Sequence, residues 1–234
     1  MKLAIMQPYL FPYIGYFQLL GAVDKFIYYD DVKFIKQGWI NRNSILVAGA
    51  KHTFSVPIRN VSSFANIKDT NVDDGQYSIW CVKFMKTLEQ NYRKAPQFSP
   101  TLELVRNVLS PNPPTIAAIA ISSIEAVANY LGMESKRFTS STTYSNSELK
   151  AVDRVLDICA REQATEYYNA IGGTEIYDKD VFAQKDITLK FVKSREIRYS
   201  QGGGPFVPWL SMIDVLMYND RDSVRALLGE YDLV

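Results

Sequence analysis

The stretch Leu3–Asp31, LAIMQPYLFPYIGYFQLLGAVDKFIYYDD, restricts the fold more than any other part of the chain. Leu3 to Met6 is an uninterrupted apolar run, as expected of a strand buried on both faces of a parallel sheet. Pro8 and Pro12 forbid an ordinary helix between them. From Tyr13, Ile14, Phe17 and Leu20 recur at helical spacing, and Gly21 offers a stop. Lys25 to Tyr29 is aromatic and β-rich, so the unit reads strand, loop, helix, strand. A right-handed crossover puts both post-strand loops on one edge of the sheet, where ligands of open α/β sheets bind. Gln7, Tyr9, Tyr13, Tyr16, Asp30 and Asp31 are therefore site candidates.

The rest of the chain extends an α/β pattern. Ser44–Ala48 and His52–Ile58 read as a β-hairpin turning at Ala48–Lys51. The polar run Ser62–Gly75 reads as a mobile surface loop. A helix follows with Ile79, Val82, Met85, Leu88 and Tyr92 on its apolar face, ending before Pro96. Pro111, Pro113 and Pro114 separate a short helix, Thr101–Leu109, from a longer one striped by Ile116, Ile119, Ile124, Val127 and Leu131 and stopped at Gly132. Strands near Arg137–Thr139, Glu166–Asn169 and Ile187–Val192 alternate with helices. One of these opens at Ser145 with a Ser145/Glu148 capping box and buries Leu149, Val152, Leu156 and Cys159; another spans Tyr177–Ala183. Helices at Ser211–Tyr218 and Asp222–Leu228 finish the chain. The expectation is one α/β domain over 1–234: a three-layer core on a parallel sheet, a β-hairpin, and a helical insertion at about 76–132.

Composition narrows the function classes. A formal net charge of +1 gives no general attraction to nucleic acid or membranes, so charge recognition must be local. No apolar run reaches the roughly 20 residues of a membrane span, and the start is too brief for a signal peptide. Cys81 and Cys159 suit reduced thiols, and a cytoplasmic location is the default expectation. His52, the single histidine, rules out His-rich metal sites and reads as a surface residue near a turn; no metal motif occurs.

Local charge is more informative. Between Val32 and Ile67 stand Lys33, Lys36, Arg42, Lys51 and Arg59 and no acid. Trp39, Asn41, Arg42 and Asn43 mix flat, amide and bidentate groups with that charge. Such a set suits a phosphate beside a ring or sugar, or simply a solvated basic face. Ser141 and Thr142 lie in a hydroxyl-rich loop between a strand and a helix, suited to helix capping or to phosphate. Gly172 and Gly173 follow a strand and allow close backbone approach. Arg195, Arg198, Tyr199 and Gln201 lead into Gly202–Pro205 and could clamp an anionic ligand.

The segments QPYLFPYIGYFQLL (7–20), YYDDVKF (28–34), WINRN (39–43), KAP (94–96) and SMIDVL (211–216) resemble, in order, the WbqC-like proteins of bacterial polysaccharide gene clusters. That resemblance implies a role in surface-glycan or O-antigen assembly, with glycine-type acyl or aminoacyl transfer onto an amino sugar. A fainter resemblance is to the HIGH-class nucleotidyltransferases of the HUP fold. Tyr13-Ile14-Gly15-Tyr16 stands where they carry His-x-Gly-His, and the serine-threonine loop at 140–143 is similar to their second phosphate motif. Tyrosine supplies no cation to a phosphoryl transition state, so that mechanism is in doubt while nucleotide binding is not.

The leading expectation is a transferase acting on the amine of a nucleotide-linked sugar. Asp30 or Asp31 would be the base, and Tyr16 and Gln7 would orient the sugar or the oxyanion. Lys33, Arg42 and Asn43 would hold the diphosphate, with Trp39 or Tyr9 stacked on a ring. For the aspartates a plain strand-end turn is the competing reading. A nucleotide-binding protein without turnover and a nucleotidyltransferase lacking histidine are the alternatives; the acyl donor and any cofactor are not legible.

Overall fold

A computed structural model of the chain describes residues 1–59, 64–110, 113–133 and 137–234, so the opening of the polar 62–75 run lies outside the described residues. The opening unit forms as its pattern requires: β1 (Lys2–Met6), α1 (Ile14–Ala22) and β2 (Lys25–Tyr28), with β1 and β2 parallel and Leu3 opposite Lys25. Every residue of α1 from Ile14 to Leu20 is buried, including Gln18. The Gln18 amide donates to the carbonyls of Leu227 and Glu230, both at 3.0 Å, which ties α1 to the chain around the end of the C-terminal helix.

The main sheet has six strands. β5 (Arg137–Ser140), β6 (Glu166–Ala170), β7 (Thr188–Ser194) and β8 (Tyr231–Leu233) join the first two in the order β5-β2-β1-β6-β7-β8. All neighbours are parallel except β7 and β8. The expected parallel sheet is present, and β8 adds an antiparallel edge strand too short to register in sequence.

Side chains alternate across β1. Leu3 and Ile5 join Ile27, Tyr167, Leu189 and Phe191 beneath α5 (Ala151–Arg161) and α6 (Lys179–Ala183). Ala4 faces the opposite, larger cluster with Phe26, Tyr168 and Val192. That second face is covered by α1 and by α2 (Asp74–Tyr92), α3 (Phe98–Leu109), α4 (Ile116–Tyr130), α7 (Met212–Tyr218) and α8 (Arg221–Leu228). The result is three layers, helix–sheet–helix. Each large apolar side chain so buried contributes roughly 1.5–3 kcal/mol.

The hairpin is β3 (Arg42–Val47) with β4 (Ala50–Ser55), and His52 is exposed on it. Three local expectations are corrected. The buried face of α2 is Tyr77, Phe84, Leu88 and Tyr92, while Ile79 and Val82 are 50% and 56% exposed. On that face Phe84 meets Phe54 of the hairpin at 4.5 Å and stacks on Trp80 of its own helix at 5.1 Å, so the hairpin fixes which side of α2 is covered. The helix expected at Ser145–Glu148 begins at Ala151, without a side-chain cap. Ser145 instead sits at φ 48° ending a 3-10 turn, and Asn146 is buried beside Arg154. Lastly, α6 starts at Lys179 because Asp178 caps it.

Candidate functional site

The strand order reverses between β1 and β6, so the crevice where an open α/β sheet receives its ligand lies beyond Met6 and Ala170. Gly172 and Gly173 sit there in a 3-10 turn, Ile171–Glu175. A Cβ on Gly173 would come within 2.7 Å of the Asn169 amide oxygen, whereas one on Gly172 would meet nothing. On the β1 side the loop is rigid. Phe11, fully buried, holds φ 40°, a left-handed conformation that costs a non-glycine residue roughly 1–2 kcal/mol. Three partners fix it: its N–H donates to Ser123 Oγ at 2.9 Å, and its carbonyl accepts from Asn43 Nδ2 at 2.7 Å and Ser211 Oγ at 2.8 Å. The Tyr16 hydroxyl donates to the Gln7 carbonyl at 3.0 Å, and burial pushes this phenol well up. Tyr9 packs on the Tyr16 ring at 5.8 Å.

The two aspartates at the end of β2 meet the serine-threonine loop. Asp30 accepts from Ser140 Oγ at 2.7 and 2.9 Å, Ser141 Oγ at 3.2 Å and Thr142 Oγ1 at 3.5 Å. Asp31 accepts from Ser141 Oγ at 2.5 Å and forms a 2.7 Å ion pair with Arg154, both side chains under a tenth exposed. Burial pushes the Asp31 carboxyl up, but the Arg154 guanidinium and the Ser141 hydroxyl outweigh it and hold it below the usual carboxylate range. Arg154 also lies over the Tyr29 ring at 4.9 Å and donates through Nε to Asn146 Oδ1 at 2.9 Å. The hydroxyls of Ser140, Ser141 and Thr142 are thus committed to carboxylates, and that of Thr143 to the Ser140 carbonyl.

A cleft of about 610 Å³ opens on the β7 side of the same edge, walled by Tyr13, Ile197, Arg198, Tyr199, Phe206 and Trp209 among others. Tyr13 meets Trp209 edge-on at 5.8 Å, and Tyr199 meets Phe206 at 5.3 Å. Trp209 is 66% exposed and held at φ 59°. Behind the wall, Asp214 is completely buried and accepts from Tyr92 and Tyr199 hydroxyls, each at 2.7 Å, and from Gln201 Nε2 at 2.9 Å. Burial pushes the Asp214 carboxyl up against the opposite pull of these three donors. Gln201 further clamps Val207, accepting from its N–H at 2.8 Å and donating to its carbonyl at 3.0 Å. The cations of the cleft are paired: Arg195 with Asp232 at 2.6 Å, Arg198 with Glu196 at 2.5 Å.

Of the residues singled out in sequence, Tyr13, Arg195, Arg198 and Tyr199 line this cleft. The basic segment lies elsewhere. Asn43 is buried, its amide donating to the Leu10 and Phe11 carbonyls; the Asn41 amide donates to the Val56 carbonyl. Arg42 donates to the Gln37 and Gly38 carbonyls and lies over the exposed Trp39 ring, and Lys33 lies over Phe64. Arg154, Phe206, Trp209 and Asp214 escaped sequence reasoning. The Pro-aromatic run Pro205–Trp209 was a readable signal; a buried arginine and a buried aspartate carry none.

Among the described residues no group of histidine, cysteine, aspartate and glutamate could hold a metal ion, and no helix is long and apolar enough to cross a membrane. Residues 7–226 match the family model of the WbqC-like proteins. The chain belongs to the WbqC-like protein family. It is also 29% identical over 218 residues to the uncharacterized protein Rv1507c of Mycobacterium tuberculosis (strain ATCC 25618 / H37Rv), covering 92% of both chains. No solved structure matches it. Within this WbqC-like chain the matched span runs from the Gln7 loop through Asp30, Asp31 and the cleft to α8.

Proposed function

We propose that this WbqC-like protein binds a nucleotide-linked amino sugar at the carboxyl edge of its sheet and transfers an acyl or aminoacyl group to the sugar amine, as surface-glycan assembly requires. The observation that supports the reading is the aromatic-walled cleft of about 610 Å³ beside the strand-order reversal. A cleft of that size and lining suits a ring-bearing small molecule, with tyrosine and tryptophan faces for stacking and phenol groups for orientation. In the transfer, the amine nitrogen attacks the acyl carbon, loses a proton, and the donor's leaving group departs. Neither aspartate lines the cleft itself; Asp31 is held low by Arg154 and is correspondingly weak as a base, so the role of proton acceptor is assigned to Asp30.

The test incubates the protein with a nucleoside-diphospho-amino-sugar and a panel of acyl and aminoacyl donors, reading amide formation by mass spectrometry. A new amide that is lost in Asp30→Asn and weakened in Trp209→Ala supports the transferase. The second reading, ligand binding without turnover, is favoured by the full engagement of both aspartates with Ser140, Ser141 and Arg154. It predicts sugar-nucleotide binding that Trp209→Ala weakens about tenfold, with no product from any donor.

A further inference from the structure

Beside the main cleft lies a second cavity of about 320 Å³, bordered by Gln90, Lys94, Gly202, Gly204, Pro205 and Tyr218 among others. Pro205 lines both cavities, so the Gly202–Pro205 loop is the partition between them. Among the described residues the lining of the second cavity contains no acidic residue. The backbone N–H groups of Gly202, Gly203 and Gly204 have no partner among the described residues. Lys94, at the carboxyl end of α2, has no ion-pair partner among them either, in contrast to Arg195 and Arg198 of the main cleft. The Tyr218 hydroxyl stands 3.3 Å from where a Cβ of Gly202 would lie.

The glycines themselves point the same way. Gly202 and Gly203 hold φ 82° and 99°, so backbone conformation explains glycine at those two positions. Gly204 has no such φ, and a Cβ there would touch nothing. What glycine supplies at 204 is an uncovered backbone. Gly202 and Gly204 border the cavity together with Lys94, and backbone N–H groups left uncovered beside an ammonium suit phosphate oxygens.

We infer that the Gly202–Gly204 loop, with Lys94 and the Tyr218 hydroxyl, is a binding site for the phosphate groups of a phosphorylated ligand. The assignment deepens the nucleotide-linked ligand proposed above, and rests on it only for what the phosphates are attached to. The ring and sugar then occupy the aromatic side of the partition and the phosphates its donor side. The basic segment Lys33–Arg42 has no part in holding them.

Pyrophosphate alone is the probe, titrated into the full-length chain while backbone amide resonances are followed by NMR. The expected result is saturable shifts at Gly202, Gly203 and Gly204, with the affinity falling about tenfold in Lys94→Gln, the loss of one charge-assisted contact. Gly204→Val, which covers the loop without straining it, abolishes the shifts while leaving the thermal midpoint unchanged. Trp209→Ala leaves pyrophosphate binding intact. Unmoved glycine amides at millimolar pyrophosphate, or wild-type affinity in both Lys94→Gln and Gly204→Val, overturn the site. Pyrophosphate binding without any sugar-nucleotide binding overturns only the proposed function and leaves this site standing.

Discussion

At the scale of single residues, two buried carboxylates behave oppositely. Asp31 faces Arg154 in a pair nearly closed to water. Removing one partner strands the other charge, so Asp31→Asn is expected to lower stability by roughly 3 kcal/mol at pH 7, measured from urea midpoints. Because its folded carboxyl is held low, this contribution is present above the unfolded value of about 3.9 and vanishes as pH falls through the lower folded value. The gap between wild type and variant therefore closes on acidification. Among the described residues Asp214 has no cation beside it, only the Tyr92 and Tyr199 hydroxyls and the Gln201 amide. Asp214→Ala leaves those donors without an acceptor and is expected to cost about 2–4 kcal/mol. With its carboxyl raised by burial, the contribution of Asp214 is greatest below about 3.9 and declines as pH rises through the folded value. Its gap narrows as pH rises above about 3.9, whereas that of Asp31 narrows only as pH falls below about 3.9, and one urea series carried across that value reads both.

At the scale of elements, the backbone of the hairpin turn disagrees with its sequence. Ala48 and Gly49 hold φ 49° and 78°, both left-handed, as a two-residue turn joining twisted strands requires. Alanine is strained there and asparagine is favoured, so Ala48→Asn is expected to raise stability by about 0.5–1 kcal/mol, seen as a higher midpoint in a thermal melt. The helices show what periodicity does and does not convey. The α4 stripe Ile116, Ile119, Ile124, Val127 and Leu131 is buried as its spacing implies, and Gly132 closes the helix at φ 76°. α2 carries two plausible faces, and the choice between them lay with Phe54 on the hairpin. The Ser145/Glu148 pattern has the composition of a capping box, yet Asn146 was drawn under Arg154 and the helix began later, at Ala151.

At the scale of the molecule, one apolar cluster runs from Ala4 and Phe26 of the sheet through Leu88 of α2 and Ile119 of α4 to Leu228 of α8. A helical insertion sharing its core with the sheet has no separate hydrophobic interior to fold around. Unfolding is therefore expected as a single transition, with the calorimetric enthalpy equal to the van't Hoff enthalpy; two resolved transitions would show the α2–α4 unit melting by itself. The alternation of apolar strands with helices, the proline-braced loop after β1 and the aspartates at the end of β2 are local properties, set by neighbours a few residues apart, and the sequence determined them unaided. That is why the α/β layers were legible. The pairing of Asp31 with Arg154, the union of Tyr13 with Trp209 and the burial of Asp214 join residues far apart in the chain. Only tertiary structure decided these, because burial and partner geometry fix whether a carboxylate serves as base, brace or buried acceptor. The opening unit supplied one wall of the cleft through Tyr13, and the loop after β7, read in sequence as a clamp, supplied the other.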